Sequence, residues 1–165
     1  MEITFTLEDH DGLPASSLSQ GNILIKDNTY FLSSNVCQSI MIFIFVSRML
    51  FEICELFTTR QKACVVEAID CDFSIKISKQ KRGLLIIESQ GKKKISVSEI
   101  DFMNELLIMS KRLVNVIYPV SEIYDDVITI SDDDDDIAKE IRQLVHKLEI
   151  IYKKQIEIYN NSETR

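Results

Sequence analysis

Residues 2–7, EITFTL, alternate apolar and polar side chains, the period of a strand with one buried face. A turn-rich connection follows, EDHDGLPASSLSQG. NILIKDNTYFLSS then resumes an extended pattern on both sides of Asp27-Asn28, which predicts a hairpin with those two residues at its tip. The first unit is thus about three antiparallel strands. From about Val36 to Phe57 the character changes. Apolar residues dominate over a length no ordinary strand reaches, and Ile42, Phe45, Val46, Met49, Ile53 and Leu56 keep helical spacing. Ile40, Phe43, Ile44, Leu50 and Phe51 make the remaining sides apolar too. Such a helix must be covered by sheet on one flank and by helices on another. Ser34 or Asn35 is placed to cap it. The β-branched run at its start keeps a strand open as the alternative for Ile40–Val46 alone.

The period returns to two at Ala63. ACVVEAID, CDFSIKISKQ, GLLIIESQ and KKKISVS read as up to four short strands, with Lys81-Arg82-Gly83 and Gln90-Gly91 as turns. Phe73, Ile75 and Ile77 fall on one face and Ser74, Lys76 and Ser78 on the other, the pattern of an antiparallel sheet with one wet face. SVSEIDFMNELLIMSKRLVNVIYP predicts a second helix. Ser98 and Asp101 form an approximate capping box, Phe102, Leu106, Met109 and Leu113 form its stripe, and Pro119 ends it. VSEIYDDVITI is irregular or a short strand. A last helix runs from about Asp135 to Tyr159, and residues 161–165 form a frayed tail. Along that helix Ile137, Ile141, Leu144, Leu148, Ile151 and Ile158 recur at steps of four and three, with Gln155 in the remaining place. Val145, Tyr152 and Tyr159 widen the stripe, which fits packing on the chain's own domain better than a strict coiled coil. A homodimer through this helix stays open as the alternative. The fold expected is α+β: one domain over residues 1–160, antiparallel strands in two meanders, a central apolar helix, and two further helices on one face.

Charge narrows the list of partners. The formal net charge is −7, which repels phosphate backbones and disfavours nucleic acid. Arg48, Glu52 and Glu55 interrupt the one long apolar segment, so no membrane span is expected. The N-terminus lacks the basic and apolar regions of a signal peptide, which implies a cytoplasmic protein. Cys37, Cys54, Cys64 and Cys71 form no C-x-x-C pair and read as free thiols. A Cys64–Cys71 disulfide is possible only if adjacent strands carry them.

The largest concentration of charge is SDDDDD, directly before the last helix. One or two aspartates suffice for capping and for the helix dipole, at about 0.3–1 kcal/mol each, so capping does not explain five. A calcium loop wants ligands at alternate positions, a glycine and a distal glutamate, none of which fits this run. A solvated charge run is one reading; an electrostatic docking surface is the other. Glu122 precedes the run, and no Lys or Arg occurs between Arg112 and Lys139. By this argument Asp125, Asp126, Asp132, Asp133, Asp134, Asp135 and Asp136 are candidate contacts for a basic protein. Lys76, Lys79, Lys81, Arg82, Lys92, Lys93 and Lys94 cluster on the second meander without interleaved aromatics. They read as edge protection rather than a nucleic-acid surface.

Catalysis is not expected. His10 sits in an acidic loop, where adjacent residues rarely converge on a metal, and His146 reads as a helix-surface residue beside Glu149 or Arg142. No phosphate-loop, dinucleotide, zinc-protease or nucleophile-elbow motif occurs, so no cofactor is expected. In size, acidity and element order the whole chain resembles the immunity proteins that bacteria keep in the cytoplasm against polymorphic or contact-dependent toxins. No residue motif carries that likeness. The resemblance implies stoichiometric inhibition of a basic toxin domain. The alternative is a structural or assembly protein that oligomerises through its last helix.

Overall fold

The computed structural model describes residues 1–8, 15, 18–36, 39–89, 93–117 and 132–163. The first meander is a four-stranded sheet. Its strands are β1 (Glu2–Leu7), β2 (Gln20–Lys26), β3 (Phe31–Ser33) and β4 (Ile40–Met41). β2 is central. It pairs antiparallel with β1 along six positions on one side, and with β3 and then β4 on the other. Between those two partners the chain makes a single 3-10 turn, Ser34–Val36.

Ser34 is therefore no helix cap. Its buried Oγ accepts a hydrogen bond from Ile23 N at 3.0 Å and donates to Asn22 Oδ1 at 3.1 Å, filling the gap in the ladder between β3 and β4. The hairpin tip also falls one residue later than expected. Asp27 N donates to Tyr30 O, so Asn28-Thr29 is the two-residue loop. Asp27 Oδ1 accepts from the backbone N–H groups of Thr29 and Tyr30, each at 2.6 Å, and these bonds hold its carboxyl below the usual range. A side-chain turn of this kind needs no residue with positive φ, which is why the absence of Asn-Gly did no harm.

Helix α1 covers Ile42–Thr58, and the strand alternative survives only in Ile40–Met41. No side chain of its own caps it. Asp70, from the loop after β5, accepts from Met41 N at 2.9 Å. The second sheet follows as β5 (Ala63–Glu67), β6 (Ser74–Lys79), β7 (Leu84–Ser89) and β8 (Lys93–Ser98), an antiparallel meander in sequence order. Its buried face is Cys64, Val66, Ile75, Ile77, Leu85, Ile87, Ile95 and Val97, the alternation expected. β8 runs directly into α2 (Glu99–Ile117), and Ser98 Oγ accepts from Asp101 N at 3.0 Å as a helix cap.

α3 covers Asp132–Glu163, 32 residues or about 48 Å. It starts three residues before the expected Asp135 and ends four beyond Tyr159. Neither Gly nor Pro stands at either end to stop it. α1 lies against β2 and β5, and α2 against β1 and β8; α3 packs on both helices, one layer further out. One contiguous core joins both sheets and all three helices. The architecture is α+β, as the patterning implies. Among the described residues no helix is long and apolar enough to cross a membrane.

Candidate functional site

α3 is buried in its middle, and among the described residues it is exposed over residues 157–161. Ala138, Ile141, Leu144, Val145, Leu148 and Ile151 are buried, so in-chain packing takes up most of the heptad seam, and Ile158 at its far end is 62% exposed. Two ion pairs flank the buried stretch. Lys147 meets Glu55 of α1 at 3.1 Å, and Lys111 of α2 meets Glu149, which holds the Glu149 carboxyl below its ordinary range. Parallel to α1 and antiparallel to α2, α3 brings Ile137 and Glu140 alongside residues 44–52 of α1.

That placement creates a groove of about 600 Å³ between α1, β5 and the start of α3. Ile44, Phe51, Val65 and Ile137 give it apolar surface. Phe51 and Val65 are about half exposed, at 49% and 47%, and the groove brings the two together. Glu52, Glu67 and Glu140 rim it, against the single cation Arg48. Arg48 Nη1 donates to Glu67 O at 3.3 Å, so that cation is engaged with the end of β5. The local balance is anionic, with an apolar floor.

The aspartate run enters this picture through the backbone. Asp132, Asp133, Asp134, Asp135 and Asp136 form the first turn and more of α3, inside the helix rather than ahead of it. Ile137 and Glu140, which line the groove, come next in the chain. Asp136 is exposed and lies 4.0 Å from Lys139. Asp125 and Asp126 lie outside the described residues. The chain thus passes from the end of the run, at Asp136, directly into two residues that line the groove. Periodicity gave no sign of that opening, because it places Phe51 on a helix and Val65 on a strand without bringing the two together.

No group of three or more His, Cys, Asp or Glu among the described residues is arranged to hold a metal ion. His10 and its neighbouring aspartates lie outside them. His146 is a helix-surface residue, its Nδ1 3.8 Å from Glu149, as the sequence implied. Glu99, in the first turn of α2, is the one described carboxyl that burial pushes up, with Lys79 opposing the shift; it does not line the groove. Cys54, Cys64 and Cys71 are free thiols. Cys64 faces Ile77 across the β5–β6 ladder and Cys71 sits in the connecting turn, so the possible disulfide does not form. Burial pushes the Cys54 thiol up to about 11 and the Cys64 thiol to about 12, which leaves both without a nucleophilic thiolate near neutral pH. What the groove presents is apolar surface beside negative charge.

No protein-family model, curated protein or solved structure matches the chain.

Proposed function

We propose that this chain is a non-catalytic protein-binding module that docks a basic partner on the groove between α1, β5 and the start of α3. The carrying observation is one juxtaposition: Phe51 and Val65 stand half exposed in a groove that Glu52, Glu67 and Glu140 also line, beside the helix start whose backbone carries the aspartate run. Interfaces concentrate binding energy in a few apolar anchors, while surrounding charge selects the partner and speeds encounter. An apolar floor inside an anionic rim combines both. With the resemblance to immunity proteins, the reading becomes a cytoplasmic inhibitor that neutralises a basic toxin domain by stoichiometric binding.

The test is capture of a partner from the native extract, its identification, and affinity measurement with both proteins purified. Phe51→Asp is expected to weaken the complex by about 2 kcal/mol or more. Changing Asp132, Asp133, Asp134, Asp135 and Asp136 to asparagine is expected to slow association and flatten its salt dependence. A partner bound with undiminished affinity and rate by both variants would remove the site.

A second reading, assembly through α3, is favoured by Ile150 and Ile158, exposed by 45% and 62% on the same helix. It predicts a dimer that dissociates on dilution and is lost in Ile158→Lys. Leu148 would be a poor probe for this, because it is fully buried inside the chain.

A further inference from the structure

We infer that the groove takes its partner as an added β-strand, a basic extended segment paired to the outer edge of β5. The inference rests on the docking site proposed above and specifies the form of its ligand.

β5 is a terminal strand of the second sheet. Lys62 O accepts from Lys79 N, and Ala68 N donates to Phe73 O. In antiparallel pairing such bonds alternate, so residues 62, 64, 66 and 68 point their backbone groups at β6. Ala63, Val65 and Glu67 point theirs the other way, at the groove side. Among the described residues no strand pairs with that edge, and only the Glu67 carbonyl receives a donor, Arg48.

Proteins usually guard such an edge with lysine, proline or a bulge. The other end of this sheet, β8, carries Lys93 and Lys94. β5, with sequence ACVVE, has neither a lysine nor a proline. Its regular five-residue register with β6 contains no bulge. A strand laid along it would place alternate side chains over Ile44, Phe51 and Ile137. Glu52, Glu67, Glu140 and Asp136 set the sign of charge that the segment must carry. Backbone pairing would give affinity, and the apolar pocket and anionic rim would select sequence.

The probe is an N-acetylated, C-amidated hexapeptide alternating lysine and valine, followed by fluorescence anisotropy at low salt. Two further copies carry N-methyl groups, one on the valines and one on the lysines. A paired strand turns only alternate N–H groups toward β5. One methylated copy therefore loses about tenfold or more in affinity while the other binds like the parent. Val65→Pro removes an outward N–H without touching the β6 ladder and also costs about tenfold. In case that variant is destabilised, amide exchange of the unaltered chain supplies a second measurement. Ala63 and Val65 exchange fast in the free protein and slow by about tenfold with peptide bound.

Equal binding by both methylated peptides, equal loss by both, or slow exchange of Ala63 and Val65 in the free chain would each overturn strand addition. If Glu52→Lys with Glu140→Lys abolishes binding while methylation has no effect, the groove stands and the strand mode falls. If the parent peptide does not bind at about 1 mM, strand addition falls, and the docking site is then judged by the Phe51→Asp measurement on the natural partner.

Discussion

Along β6 the buried Ile75 and Ile77 alternate with Ser74, Lys76 and Ser78, and the same rhythm runs through β5, β7 and β8. Along β2 the decisive residues are single points. Gly21 sits where a Cβ would collide with the Thr6 carbonyl oxygen, and Ile23 gives its N–H to a serine hydroxyl because no strand stands opposite. The second sheet is specified by repetition; the first repeats the same alternation in Gly21, Ile23 and Ile25 and depends in addition on particular atoms. A repeated pattern tolerates the loss of one outward residue, so the second sheet can vary its exposed edge without endangering the fold. The first sheet has little such freedom. That difference is consistent with a binding site on β5.

The comparison breaks most visibly at Gly21. Gly21→Ala forces its Cβ against a backbone oxygen in a central strand, where neither side can give way. The expected loss is about 3 kcal/mol, read from the urea midpoint. Ser34→Ala comes next. It leaves the buried Ile23 N–H without a partner, for about 1–3 kcal/mol. If Ser34→Ala proved neutral, β3 and β4 would have to close on β2 without help, and the contrast between the sheets would shrink.

Alkali tests the apolar side of β5 and α1. The folded chain keeps the Cys54 and Cys64 thiols neutral up to about 11 and about 12, against an ordinary value of 9.0. Above 9.0 the unfolded chain releases protons that the folded chain retains, so stability is unaffected below that pH and falls as pH rises toward about 11. Urea midpoints measured from pH 8 upward should fall less steeply in Cys64→Val. At pH 8, Cys71, which is partly exposed, should react with a thiol reagent well before Cys54 and Cys64.

The same contrast explains what could be read in advance. The second sheet was legible because its side chains alternate, and α2 was legible because Ser98 and Pro119 bracket one apolar stripe. The 3-10 turn at Ser34 and the short β4 were not. Ser34 resembles a helix cap locally, and only the position of β2 makes it a ladder substitute. Asp70 as the cap of α1 was invisible for the same reason: 29 residues separate donor and acceptor. The aspartate run stood out by composition, but its neighbour did not. Phe51 falls on the further apolar sides of a helix and Val65 within a strand. Only the way α1, β5 and α3 come together around the groove sets them side by side, each about half exposed.

Turns and surface pairs of the second sheet sharpen the comparison at its small end. Arg82 adopts φ 65° beside Gly83 at the β6–β7 turn. A side chain in that region costs about 1 kcal/mol, and glycine would release it while adding freedom to the unfolded chain, so Arg82→Gly should gain about 0.5 kcal/mol.

The smallest effect is expected at the Glu88–Lys94 pair on the outer face. Lys94 and Lys76 flank Glu88 across the strands, and their charge holds its carboxyl below the ordinary range. The sign follows directly: the contribution exists above the ordinary carboxylate range and is lost as pH falls through the lowered value. The Lys94 side of the pair is largely exposed, and pairs open to water typically contribute little. Lys94→Ala should therefore leave the urea midpoint nearly unchanged at neutral pH while returning the Glu88 titration, followed by carboxyl NMR shifts, toward its ordinary position. A large loss of stability there would mean that the wet face holds the sheet together. The second sheet would then have no more freedom to vary its exterior than the first, and the physical case for an expendable, ligand-receiving edge at β5 would weaken with it.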